Sequence, residues 1–144
     1  MNGKIFSALA LAGAMVLAGV KPARAQDTVK ATIPFEFNAG GKLLPAGDYE
    51  MRPLTDASVL IENVNTKDRA SALARYDKPG DLAEEAVLVF HQYGDARFLS
   101  QICTRDTKRG LPVSKLERRA ASKAAESAVN NPDSRVVYIA ARMQ

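Results

Sequence analysis

A chain of 144 residues with one cysteine, one histidine and no tryptophan excludes several chemistries before any pattern is read. A single cysteine makes no intrachain disulfide, so the fold must stand on packing. Together with the single histidine it also falls short of the roughly four ligands that a structural zinc site needs.

The first predicted element is an export leader. Met1–Lys4 carries one lysine and no acid, and Ile5–Val20 is an apolar run of sixteen residues that includes two glycines. Ala23 and Ala25 then provide small residues for cleavage between Ala25 and Gln26. A membrane anchor would need about twenty apolar residues, so the chain reads as residues 1–25 signal peptide and 26–144 exported domain, periplasmic or extracellular. Cleavage removes Lys4, Lys21 and Arg24, leaving 17 basic and 16 acidic residues over 119 positions. A net charge of +1 gives no general attraction for nucleic acid, so none is expected as a partner. A chain of this length suits one domain with a real core.

The mature chain opens on Thr28–Phe37, where Val29, Ala31, Ile33, Phe35 and Phe37 alternate with mostly polar residues. This is strand periodicity, and Pro34, which has no N–H to donate, predicts a sheet edge or a bulge. Turns are expected at Asn38–Lys42 and Leu44–Gly47, then a short strand over Asp48–Arg52 with Tyr49 and Met51 on one face. Ser58–Val64 and Arg69–Tyr76, separated by four polar residues, read as a hairpin, and Asp77–Glu85 as a loop. Ala86–Tyr93 and Ala96–Cys103 flank Gly94-Asp95, a glycine-first two-residue turn. That turn sets Tyr93 opposite Ala96, His91 opposite Phe98 and Phe90 opposite Leu99.

After a polar, basic stretch, Ser114-Lys115-Leu116-Glu117 fits a capping box opening a helix over Lys115–Val129, its apolar face mostly alanine with Leu116. Asn130–Asp133 ends it, and Arg135–Arg142 reads as a closing strand. The fold class is therefore mainly β: a single small antiparallel sandwich or partly open barrel of about seven strands, with one C-terminal helix before the last strand. A chain this short cannot supply the eight long strands of an outer-membrane barrel.

The stretches Ile33–Phe37 (IPFEF), Leu44–Tyr49 (LPAGDY), Phe90–Ile102 (FHQYGDARFLSQI) and Leu111–Glu117 (LPVSKLE) together resemble a group of short exported bacterial proteins of no known activity. The resemblance spans most of the mature chain and implies an all-β secreted domain. It brings no catalytic residue, cofactor, ligand or partner. The alanine-rich helix is expected to be longer here than in that group.

No catalytic set, metal site or cofactor site emerges from the residues. Alternation places His91 and Cys103 on different faces, which argues against a base and nucleophile pair. Glu36, Glu50 and Glu62 fall at polar strand positions, and Glu84-Glu85 lies in a loop, all read as solvent-facing. Gly40-Gly41 lacks the phosphate-binding signature and reads as a turn. The aromatic residues mostly occupy core-facing positions. Tyr93, beside the turn, is the likeliest exposed one, and Tyr93, Asp95 and His91 are the candidate ligand or partner contacts.

Charge is unevenly placed. Asp27–Cys103 holds 8 basic and 12 acidic residues, and Thr104–Gln144 holds 9 and 4. The basic tail is expected to dock on the acidic body or lie in solvent, with anionic lipid or polysaccharide as the sharper partner. The expected function is a non-enzymatic domain, binding or structural at the cell envelope, with an envelope protein, a glycan or an anionic membrane surface as partner. A small-ligand carrier with an open interior lined by Phe35, Phe37, Phe90 and Val89, and a carboxylate-based hydrolase, are the alternatives.

Overall fold

The computed structural model describes residues 28–77, 85–127 and 134–144. The leader at 1–25, most of the loop read at 77–85 and the stop read at 130–133 lie outside these. Among the described residues the chain forms eleven strands and one helix: β1 (Val29–Ile33), β2 (Phe37–Ala39), β3 (Lys42–Leu44), β4 (Gly47–Thr55), β5 (Ser58–Asn63), β6 (Arg69–Leu73), β7 (Arg75–Asp77), β8 (Ala86–Tyr93), β9 (Ala96–Cys103), β10 (Lys108–Gly110), α1 (Lys115–Ser127) and β11 (Ser134–Met143).

The strands make one barrel-like sheet in the order β3-β2-β9-β8-β11-β1-β4-β5-β6. It nearly closes. β6 runs through the buried Ala74 into β7, β7 pairs with β10, and β10 pairs with β9, so the ladder returns toward its own middle. All pairings are antiparallel except the short parallel contact of β2 with β9 at Asn38 and Phe98.

Several expected elements hold, and the differences have local causes. The alternation over 29–37 survives, with Val29, Ala31, Ile33 and Phe37 buried. The single expected strand is split, because Pro34 interrupts the ladder and β2 turns away to join β9. β1 is not an edge: it lies between β11 and β4, and Pro34 falls just beyond its end. The free edges of the path are instead β3 and β6. Arg69–Tyr76 breaks likewise at Ala74, and β10 arises in the basic stretch, where backbone pairing needs no apolar pattern.

The second hairpin pairs as expected, with Tyr93 opposite Ala96, His91 opposite Phe98 and Phe90 opposite Leu99. Gly94 takes φ 59°, a left-handed conformation that glycine enters without steric cost. Past Phe90 the register shifts, and Val89 pairs with Gln101. The extra residue is Ser100, whose carbonyl accepts the Leu111 amide at 2.8 Å and so fixes where the β10–α1 linker begins.

Aromatic side chains fill the interior. Phe90 meets Phe35 and Phe37 edge-on at centroid distances of 5.1 and 5.4 Å, and Phe37 meets Tyr49 at 5.1 Å. Leu44, Ile33, Met51, Ile61 and Leu88 pack in the same cluster. The space that an internal cargo would use is occupied by these side chains, and Val89 belongs to the outer face rather than to this cluster. The buried Asn63 side chain accepts the amides of Asn65 (2.9 Å) and Thr66 (3.0 Å), which shapes the β5–β6 turn.

Helix α1 starts where the sequence predicts. Ser114 Oγ accepts the Glu117 amide at 3.0 Å. The helix lies against β8, and its inner face is Glu117, Ala120, Ala121 and Ala124, spaced one turn apart. Leu116, expected on that face, is about half exposed. The basic residues of α1 do not dock on the acidic body: Lys115, Arg118, Arg119 and Lys123 are exposed, and no ion pair of theirs occurs among the described residues.

Apart from Glu117 in the first turn, the charge order of the helix opposes its own stability. Its cations crowd toward the N-terminal end, where the macrodipole is positive, and its last turn holds no basic residue. Lys115–Arg119 and Arg119–Lys123 are like-charge neighbours four residues apart, each costing about 0.2–0.5 kcal/mol.

Cys103 is half-buried beside Gln101, and loss of solvent around the sulfur pushes its thiol pKa up, with Lys108 opposing. A raised pKa means less thiolate at neutral pH. Folded protein should therefore react with Ellman's reagent markedly more slowly at pH 7.5 than urea-unfolded chain; equal rates would contradict this burial.

Candidate functional site

The β2–β3 turn, β6, β9 and the linker into α1 enclose a cleft of about 350 Å³. Its walls are mainly apolar or small: Ala39, Ala72, Leu73, Phe98, Leu99 and Val113. Each wall follows from a local feature. Gly40 and Gly41 both take positive φ (56° and 78°), which lets β2 reverse tightly into β3. Gly40 then rests against the Ser71 backbone of β6, bringing the two free edges of the sheet together. Ser100 anchors Leu111 opposite, and Ser114 starts the helix that delivers Glu117.

Glu117 is the chemical centre of the cleft. It lines the cleft yet is only 4% exposed. Its Oε1 lies 3.0 Å from His91 Nδ1 and accepts a hydrogen bond from the Tyr93 hydroxyl at 3.4 Å. A buried carboxylate is costly unless hydrogen-bonded or paired, and these two groups supply that compensation. The His91 and Tyr93 rings lie edge-on, 6.3 Å apart. Burial, then the Glu117 charge, pushes the Tyr93 phenol pKa up and keeps the ring a neutral donor.

Of the three candidate contacts, the structure brings His91 and Tyr93 together on one oxygen and leaves Asp95 apart, exposed in the turn. Tyr93 is half-buried rather than the exposed platform expected of it. The residue that sequence reasoning misses is Glu117, whose place in the capping box offers a local explanation. Its amide does take the Ser114 cap, but its carboxylate turns to β8 instead. The signal was present in the sequence: Ala120, Ala121 and Ala124 mark a close-packed helix face, and Glu117 lies in line with them.

Among the described residues Glu50 and Glu62 face each other across β4 and β5, but each has its own cation: Lys30 lies 2.6 Å from Glu50 and lowers its carboxyl pKa, and Lys67 lies 3.9 Å from Glu62; Glu36 is exposed. Cys103 and His91 do not fall on different faces as alternation predicts: the extra residue Ser100 shifts the register and puts both on the outer face, but Cys103 pairs with Val87, four residues along β8 and about 13 Å from His91. No cluster of three or more His, Cys, Asp or Glu suited to a metal occurs among the described residues. Comparison with protein-family models, with curated proteins and with solved structures finds no significant match.

Proposed function

We propose that this chain is an exported binding domain whose cleft takes a small molecule or short peptide end bearing a protonated amine directed at Glu117. The observation that carries this reading is a buried glutamate lining an apolar cleft, its carboxylate held by His91 and Tyr93. Apolar walls with few convergent polar groups are the usual make-up of a ligand site, where the walls supply area and the polar group fixes orientation. Export rests on the charged, apolar and small-residue order of residues 1–25.

A carboxylate bonded to an imidazole also orients a base in acyl-transfer enzymes. Among the described residues no hydroxyl or thiol acts as a nucleophile hydrogen-bonded to His91, so binding accounts for the pair better than turnover.

The test is an NMR titration with a panel of alkylammonium and arylammonium compounds and tripeptides with free N-termini. Binding should shift the amides of Gly40, Leu73, Phe98 and Ser114. A hydrogen bond to a charged group contributes about 1.5–3 kcal/mol, so Glu117→Gln should weaken it about 10- to 100-fold. Shifts confined to other surfaces, or affinity unchanged in Glu117→Gln, would refute the reading.

A further inference from the structure

We infer that the outer face of α1 is a docking surface for anionic phospholipid bilayers. This stands on the exterior of α1 and on Val113 just before it, which also walls the cleft, and it does not depend on what the cleft binds.

Lys115, Arg118, Arg119 and Lys123 share one exposed groove on α1 with Ser122 and Glu126. Arg118 donates to the Val113 carbonyl at 3.4 Å, and the four cations otherwise face solvent. A face evolved only to solubilise a helix would alternate signs along i and i+4 and put its cations near the C-terminus. Here like charges adjoin, they sit toward the positive end of the helix dipole, and the acid Glu126 stands at the other end. The arrangement lowers helix stability and concentrates positive potential, which an anionic surface would relieve.

Two exposed apolar side chains decide which anion. Leu116, beside Lys115, and Val113, one residue before the cap, are 47% and 48% exposed. A sulfated or phosphorylated polysaccharide has no use for them. A bilayer interface does, since headgroups meet the cations and the boundary below accepts the apolar groups. Among the described residues no helix is long and apolar enough to cross a membrane.

The experiment is vesicle co-sedimentation of the chain as isolated from the expressing cells. Vesicles are phosphatidylcholine alone or mixed with phosphatidylglycerol, each at low and high salt, and the neutral vesicles give the baseline for any other apolar segment. The expected result is salt-sensitive binding to the anionic vesicles alone. The combined Lys115→Gln, Arg118→Gln, Arg119→Gln and Lys123→Gln variant should lose about 10²- to 10³-fold in partitioning, each cation near the surface contributing a few-fold. Leu116→Ser alone should lose several-fold while keeping the salt dependence. All five positions are exposed, and circular dichroism checks that the fold is kept. Equal partitioning of the wild type and the fourfold variant would overturn the inference. So would retention on immobilised dextran sulfate with no binding to either vesicle, which would make the face a polysaccharide surface.

Discussion

Phe90→Ala is expected to cost about 3–5 kcal/mol, the range for emptying a large aromatic from a packed interior. Phe90 is fully buried at the centre of a linked set of rings, edge-on to Phe35 and to Phe37, which in turn is edge-on to Tyr49. Truncation removes its transfer energy, leaves a hole walled by stiff strands, and also forfeits both edge-to-face contacts, each about 0.5–1.5 kcal/mol beyond area. For a domain near this size each kcal/mol lowers Tm by about 3–6 °C, so a drop of about 10–30 °C is expected in a thermal melt. Phe35→Ala, at a half-buried ring, should cost clearly less. A Phe90→Ala protein melting within a few degrees of wild type would mean that the barrel interior is not packed as described.

Gly40→Ala is the second large effect, and Gly41→Ala is its control. Both glycines hold positive φ, where an L side chain pays about 1–2 kcal/mol. Only Gly40 pays again. A methyl group there would run into the Ser71 carbonyl oxygen and come within 3.3 Å of Ala72 Cβ, whereas at Gly41 nothing lies within 4 Å. Because a strand backbone yields little, an overpacking cost of about 1–3 kcal/mol adds to the conformational one. Gly40→Ala should therefore destabilise by about 2–5 kcal/mol in urea unfolding, against about 1–2 for Gly41→Ala. It should also pry the β2–β3 turn from β6 and widen the cleft. Equal costs at the two positions would show that the free edges do not meet there.

The contrast between these glycines marks what a sequence carries and what it does not. Glycine pairs announce turns through their own backbone freedom, so the turn at 38–42 was legible. That one of them presses on a strand thirty residues later was not, since the contact belongs to closure of the sheet. The β8–β9 hairpin shows the same division. A two-residue turn dictates which residues face each other, so the pairings of His91 and Phe90 could be read directly. The bulge at Ser100 follows from the linker that binds its carbonyl, and alternation gives no sign of it.

Pro34 is incompatible with a ladder, but a proline just past a strand end relieves that conflict as well as one at an edge. β1 consequently lies inside the sheet, paired with β4 along its length and with β11 at Val29 and Lys30. The cleft draws its walls from four separate stretches between residues 38 and 117, so no window of sequence contains it. Glu117 was visible as a residue and hidden as a site. Its capping spacing offered a sufficient local explanation, and only the tertiary placement of α1 on β8 shows where the carboxylate goes.

The pairing of Glu117 with His91 is the point on which the cleft's chemistry rests, and the chain offers a direct reporter, because it has a single histidine. Nitrogen-15 NMR of that imidazole gives one pair of ring signals. The Nδ1 signal is expected to move clearly in Glu117→Gln and to stay in place in Leu116→Ser, whose side chain points away from β8. An Nδ1 signal indifferent to Glu117→Gln would contradict the buried contact and the binding site built on it.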